Sequence, residues 1–272
     1  MKIQFYANVK NPKACEAQEE LSAQARAFCL EVVERGRADV VISLGGDGTL
    51  LKAVRRYPRS AQLGFNLGSL GYLAAVGEND FAGALKMLAE GRFKVSRRTL
   101  LEARKLDSRE KHAIALNEIV IMRQMTGHAA AIDLEADGKF VARYSADGLV
   151  VATPTGSTAY SLAAGGPVLM PDSECMVVTP MNPHALGVRP LVVSNGVTLC
   201  ATSRRRVNSR AEKTAVYADG RSAFMLGGDE GVVIRKALVE AKFVELEGYD
   251  PYEVLGRKLG WAGSRIAREN RQ

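Results

Sequence analysis

The sequence predicts a chain in two parts: an α/β part built on a parallel sheet, then an all-β part. Three observations carry this. Over residues 1–95, short apolar runs alternate with helical patterns. From about Lys94 the texture changes to a near-continuous series of strand-like runs. Glycine and Asp-Gly turn signals punctuate that series, and few helical stretches interrupt it.

In the first part, Ile3 to Ala7 alternates as a half-buried strand. Asn11-Pro12 has the form of an N-cap followed by proline in the first turn. A helical pattern then runs through Ala14, Leu21, Ala25, Phe28 and Val32 and stops near Gly36. Ala38 to Leu44 is an apolar run suited to a strand buried on both faces. It leads into Gly45-Gly46-Asp47-Gly48-Thr49, and Leu50 to Arg56 reads as a helix. Ala61 to Asn66 is the next strand, and Phe81 to Glu90 a helix stopped by Gly91.

In the second part the strand-like runs are Leu100 to Lys105, Ile114 to Met122, Ala131 to Glu135, Phe140 to Arg143 and Leu149 to Ala152. Asp137-Gly138 supplies a hairpin turn. Met176 to Thr179, Leu191 to Val193, Thr198 to Ala201, Thr214 to Ala218 and Val232 to Lys236 continue the series. The tail from Tyr252, with Leu255, Leu259 and Trp261, reads as an amphipathic helix packing back on the first part. The predicted boundaries are residues 1–95, 96–240 and 241–272.

Composition narrows the function classes. With 47% hydrophobic and 25% charged residues the chain is globular. No apolar stretch is long enough to span a bilayer, and the N-terminus lacks the apolar centre of a signal peptide, so a cytoplasmic protein without a membrane partner is expected. The four cysteines have no metal-ligand spacing and read as small apolar residues of a reducing compartment. A net charge of +7 points to an anionic partner. The clearest basic run, Arg204-Arg205-Arg206 with Arg210 and Lys213, lacks the interleaved aromatics that would stack bases, so nucleic acid is not expected.

Two segments carry chemistry. In Gly45-Gly46-Asp47-Gly48-Thr49 a buried strand runs into glycines around one aspartate, and a helix follows. Glycines admit a phosphate to the backbone amides, and the helix N-terminus adds positive potential. Asp47 at its mouth has the chemistry to orient a hydroxyl, take its proton or bind magnesium. As a purely structural feature the same residues make a tight turn with an N-cap. In Asp147-Gly-Leu-Val-Val-Ala-Thr-Pro-Thr-Gly-Ser-Thr-Ala-Tyr160 a strand ends in hydroxyl and glycine residues, with a helix expected from about Ser157. Thr155, Ser157 and Thr158 offer donors to phosphate or ribose oxygens, and Tyr160 offers a face to adenine. Neither a Walker A pattern nor G-x-G-x-x-G after a strand occurs.

Gly-Gly-Asp-Gly-Thr, Asn66-Leu-Gly-Ser-Leu-Gly-Tyr72, Asn117-Glu118, Asp147-Gly with Thr-Pro-Thr-Gly-Ser-Thr-Ala-Tyr, Asp219-Gly220 and Leu259-Gly-Trp261 follow one another in an order and spacing that resembles the bacterial NAD kinases. The resemblance covers nearly the whole chain. It implies a Rossmann-like N-terminal α/β domain and a C-terminal β-sandwich. It implies phosphoryl transfer from ATP or polyphosphate to the adenosine ribose 2′-hydroxyl of NAD, with a divalent cation such as Mg²⁺, in a homodimer or homotetramer.

By the same resemblance Asp47 is the catalytic base or hydroxyl-orienting residue, with Gly46 and Gly48 beside it, and Lys52 helps hold phosphates. Tyr72 lies against a base of the dinucleotide, and Asn117 and Glu118 bond adenine and ribose groups. Asp147 contacts the dinucleotide, and Thr158, Ala159, Tyr160, Ser161 and Ala163 line its pocket. His128 falls where relatives place a dinucleotide contact. Departures from the pattern are Ser145, where many relatives carry a basic residue tied to NAD and NADH discrimination, Ala163 for a serine, Arg221 for a glutamine, and Tyr72 for a phenylalanine. Acceptance of NADH is the expectation that Ser145 raises. A lipid kinase of the diacylglycerol or sphingosine type shares the GGDGT segment but leaves Asn117-Glu118 unexplained. A non-catalytic NADP sensor is countered by the retained Asp47.

Overall fold

The computed structural model describes residues 1–261 except Lys10, Ser69, Leu70, Ala75, Arg109, Glu110, 125–127 and 206–212. Ser69 and Leu70 of the Asn66–Tyr72 motif, and Arg206 and Arg210 of the basic run, lie outside the described residues. The chain divides into one unit of residues 1–97 and 241–272 and a second of residues 98–240.

The elements in chain order are β1 (Lys2–Ala7), α1 (Pro12–Ala27), β2 (Glu31–Val32), β3 (Val40–Leu44), α2 (Asp47–Arg56), β4 (Ala61–Phe65), α3 (Phe81–Ala89), β5 (Phe93–Lys105), β6 (His112–Ala115), β7 (Glu118–Arg123), β8 (Ala130–Ala136), β9 (Lys139–Ala146), β10 (Gly148–Ala152), the short helical turn α4 (Tyr160–Ala163), β11 (Cys175–Met181), β12 (Leu191–Ser194), β13 (Leu199–Arg204), β14 (Thr214–Ala218), β15 (Arg221–Leu226), β16 (Gly231–Leu246) and α5 (Pro251–Lys258).

In the first unit β2, β1, β3 and β4 are parallel neighbours, and Lys242–Phe243 of β16 runs parallel to β4. Val40, Ile42 and Leu44 of β3 pack with Ala14, Leu21 and Ala25 of α1 and with Phe81, Leu85 and Leu88 of α3. Val41 turns the other way, against Ala53 of α2. Helices on both faces explain why β3 is apolar at nearly every position rather than alternating.

In the second unit β12, β11, β10, β7, β14 and β15 form one sheet of antiparallel pairs. In the other, β8 pairs antiparallel with β9 and β13, and β13 with β16. Ile119, Ile121, Leu149 and Val151 of the first meet Ile132, Leu134, Leu199 and Ile234 of the second in one core, which makes this unit a β-sandwich. Val120, Val150, Ala152 and Val177 face the opposite side, where Ala164 and Leu169 cover them. The segment after β10 is therefore packed onto the sheet. Asp137 and Gly138 both have positive φ (49° and 74°), as a two-residue hairpin between β8 and β9 requires.

Several elements differ from expectation. The first helix ends at Ala27, and Glu31–Val32 is a strand. Cys29 takes the left-handed conformation (φ 61°), and the Leu30 amide bonds back to the Ala25 carbonyl, the closing bond of a helix stop more often supplied by glycine. The second helix begins at Asp47, so the aspartate opens the helix instead of sitting in the loop before it. The strand expected over Ile114 to Met122 breaks at Leu116–Asn117. The helix expected near Ser157 is a 3₁₀ turn over Thr155–Thr158 followed by α4. The run expected over Val232 to Lys236 is a strand of 16 residues.

Candidate active site

The predicted residues fall into two groups, one in each unit. In the first, β3 ends at Leu44 and Gly45 bends the chain with φ 148°, its amide bonded to the Phe65 carbonyl. Gly46 and Gly48 are exposed, and a methyl group at either position would meet nothing within 4 Å. Bare backbone thus faces open space at the start of α2, where the first amides have no partner within the helix. Lys52 is exposed on α2.

Asp47 is half-buried, and its carboxylate accepts three backbone amides from one loop. Oδ2 accepts from Tyr72 at 2.9 Å, and Oδ1 accepts from Leu73 at 3.0 Å and Ala74 at 2.9 Å. The Tyr72 ring has the Lys258 ammonium of α5 5.5 Å from its centroid. Burial, and then the Asp47 charge, push the Tyr72 hydroxyl above its usual pKa.

The second group is stitched around Asn117 and Glu118. Asp219, in a left-handed turn (φ 47°), accepts the backbone amides of Leu116 at 3.0 Å, Asn117 at 2.8 Å and Glu118 at 3.4 Å. On the other side the Thr153 hydroxyl donates to the Leu116 carbonyl (2.6 Å) and accepts the Gly156 amide (3.0 Å). A methyl group on Gly156 would stand 2.0 Å from the Asn117 carbonyl oxygen, so only glycine allows the 3₁₀ turn to lie against the break between β6 and β7.

Asn117 and Glu118 are 8% and 6% exposed, and among the described residues neither Asn117 Oδ1 nor Glu118 Oε2 has a hydrogen-bond partner. Burial first, and then the Asp219 charge, push the Glu118 carboxyl up to about 7, against the hydrogen bond from the Tyr160 backbone. Tyr160 is exposed, as is Ala163, and Ala159 joins the 3₁₀ turn to α4.

Some hydroxyls predicted to serve a ligand are used inside the fold. Ser157 Oγ donates to the Pro154 carbonyl at 2.7 Å and accepts the Leu169 amide at 2.9 Å. Thr158 Oγ1 donates to the Thr155 carbonyl, and Thr155 is buried. Ser161 and Thr179 share a buried hydroxyl pair at 2.8 Å. Asp147 lies in an ion pair with Arg123 at 2.7 Å and accepts Asn182 Nδ2 at 2.9 Å. That hydrogen bond and the Arg123 charge hold its carboxyl below the usual range. Ser145 is exposed, and its carbonyl accepts the His184 amide. His128 and Arg221 are exposed.

The residues that sequence reasoning left without a role are Asp219, Gly71, Thr153, Gly156 and Asn182. Asp219-Gly220 stands in the sequence only as one of the family-like motifs, because its reach back to Leu116–Glu118 depends on strand order.

Comparison with known proteins bears on both units. The ATP-NAD kinase N-terminal domain profile matches residues 3–93, and the ATP-NAD kinase C-terminal domain profile matches residues 116–246. An NAD kinase of Christiangramia forsetii is 38% identical over 230 residues, 82% of this chain and 76% of that one. The crystal structure of yeast NADH kinase complexed with NADH superposes with a TM-score of 0.86 at 23% identity, covering 97% of this chain and 88% of that one. An Archaeoglobus fulgidus NAD kinase in complex with ATP gives 0.75 at 27%, covering 91% and 94%. With both domain profiles matched in order, the chain belongs to the NAD kinase family.

Proposed function

We propose that this chain moves the γ-phosphoryl group of ATP to the 2′-hydroxyl of the adenosine ribose of NAD. The observation that carries the reading is the buried, unpartnered acceptor pair, Asn117 Oδ1 and Glu118 Oε2. Buried polar atoms without partners are rare in folded proteins, and an incoming ligand is one way to satisfy them. The adenine amino group and ribose hydroxyls supply the matching donors.

In the transfer the ribose hydroxyl donates to the Asp47 carboxylate. Its oxygen attacks the γ-phosphorus, the O–P bond forms as the bond to the departing ADP breaks, and the hydroxyl proton passes to the carboxylate and then to water. Bare amides at Gly46 and Gly48, and Lys52, meet the triphosphate charge. Mg²⁺ keeps several waters and binds triphosphate oxygens with few protein ligands. Among the described residues no three His, Cys, Asp or Glu side chains gather; a Mg²⁺ ion arriving with the triphosphate would supply neutralisation of its charge, with Asp47 the nearest candidate carboxylate of this group.

Ser145 places no charge at the position tied to discrimination, so NADH is proposed as an acceptor alongside NAD. Asn117→Ala tests the acceptor pair. Removing a partner from a buried hydrogen bond costs about 1–3 kcal/mol, so KM for NAD and for NADH rises roughly 10- to 100-fold while KM for ATP stays within about twofold. Unchanged KM for both dinucleotides would remove Asn117 from the acceptor site.

A further inference from the structure

Asp47 carries more than the chemistry proposed for it. A carboxylate offers about four acceptor positions. Three are filled by consecutive amides of one loop: Leu73 and Ala74 on Oδ1, Tyr72 on Oδ2. The loop is itself braced. Asn66 Nδ2 donates to the Ala74 carbonyl at 3.4 Å, and the Asn66 amide donates to the Val76 carbonyl at 2.8 Å.

Two glycines leave the room. A methyl group on Gly64 of β4 would lie 2.6 Å from Ala74 Cα, so the loop presses directly on the strand. A methyl group on Gly71 would lie 2.0 Å from Asp47 Oδ1 and 2.7 Å from its carboxyl carbon, so the carboxylate presses directly on the loop.

We propose that the Gly71–Ala74 loop is the positioning device for Asp47, holding the carboxylate so that Oδ2 alone keeps an acceptor position for the substrate hydroxyl. This rests on the reading of Asp47 given above and adds which oxygen works and what aims it. A side chain fixed at both oxygens loses little orientational freedom when the hydroxyl arrives, and orientation is the main resource of phosphoryl transfer. Gly71 is a positioning residue, and it acts by having no side chain.

The same contact bears on an Asp47→Asn substitution. An asparagine has one acceptor oxygen, and its amide nitrogen would face a backbone donor, so the variant perturbs the loop as well as the chemistry.

Amide hydrogen exchange on the free protein tests the contact without any turnover. In the wild type, Tyr72, Leu73 and Ala74 are expected to exchange at least about tenfold more slowly than in Asp47→Ala. Equal rates in the two proteins overturn the proposal whatever the enzyme's activity. Gly71→Ala then tests the consequence. Its kcat is expected to fall roughly 100-fold, with KM for NAD and ATP within about threefold and the far-UV spectrum unchanged. Gly71→Ala with wild-type kcat overturns the positioning role, as does a loss expressed in KM alone. A wild-type protein that makes no phosphorylated dinucleotide, yet shows the protected amides, overturns the functional reading and leaves the contact standing.

Discussion

Glu118 is an ionisable side chain in a place that disfavours its charge. It is 6% exposed, it faces the Asp219 carboxylate, and its carboxyl is raised from 4.5 to about 7. A carboxyl whose folded pKa lies above its unfolded value gives stability that is complete below about 4.5 and is lost as pH rises through about 7. A shift of that size corresponds to about 3 kcal/mol. Glu118→Gln removes the titration. Between pH 5 and pH 8 the melting temperature of the wild type should fall by several degrees relative to the variant. Two parallel curves across that range would show that Glu118 does not titrate there. Nothing in the residue order announced this property. Glu118 was legible as a polar partner for ribose, but the carboxylate that crowds it lies 101 positions away along the chain.

At the scale of elements, the strand β8 is tied to its neighbours by charge as well as by backbone bonds. Asp133 is buried, and Arg143 of β9 donates to both its oxygens at 2.6 and 2.8 Å. Arg204 of β13 adds a third bond at 2.6 Å. Arg143, the larger cause, and Arg204 hold the Asp133 carboxyl down to about 2. A lowered folded pKa gives stability that is present above the usual value of 3.8 and is lost as pH falls through about 2. Both arginines keep contact with water, so screening reduces the contribution to about 1–2 kcal/mol. Asp133→Asn should lower the melting temperature at pH 7, and the gap from wild type should close on acidification to pH 2. A gap that stays constant down to pH 2 would contradict this.

The same scale shows what the sequence makes legible and why. The strand β3 and its glycine turn were readable because a both-face buried strand and a helix entry are local patterns. The end of α1 was not, because Phe28 and Val32 continue the apolar spacing and the left-handed stop falls on Cys29 instead of a glycine. The Ser157 hydroxyl reads as a ligand donor, and Ser161 as a pocket residue by the resemblance, because residue type is visible and packing is not. Their partners, Leu169 and Thr179, stand 12 and 18 positions away.

Taken as a whole molecule, the chain carries a net charge of +7, which suits anionic ligands such as a dinucleotide and a nucleoside triphosphate. The α/β part and the strand-rich part were legible from periodicity alone. The motifs, taken together, resembled a family that both domain profiles match. The arrangement of strands within the sandwich, which brings Asp219 to Asn117 and Thr153 to Leu116, was not legible, since strand pairing is set by contacts far apart in sequence. Among the described residues no helix is long and apolar enough to cross a membrane.

This chain places one phosphoryl group on the adenosine ribose of NAD at the 2′ position. The most direct test incubates the purified chain with NAD, Mg²⁺ and ATP labelled in its γ-phosphate, cleaves the pyrophosphate of the product, and identifies the labelled nucleotide. The expected product is adenosine carrying the label as a 2′-phosphate beside its 5′-phosphate. Label at the 3′ position, on the nicotinamide half, or only in inorganic phosphate would contradict it.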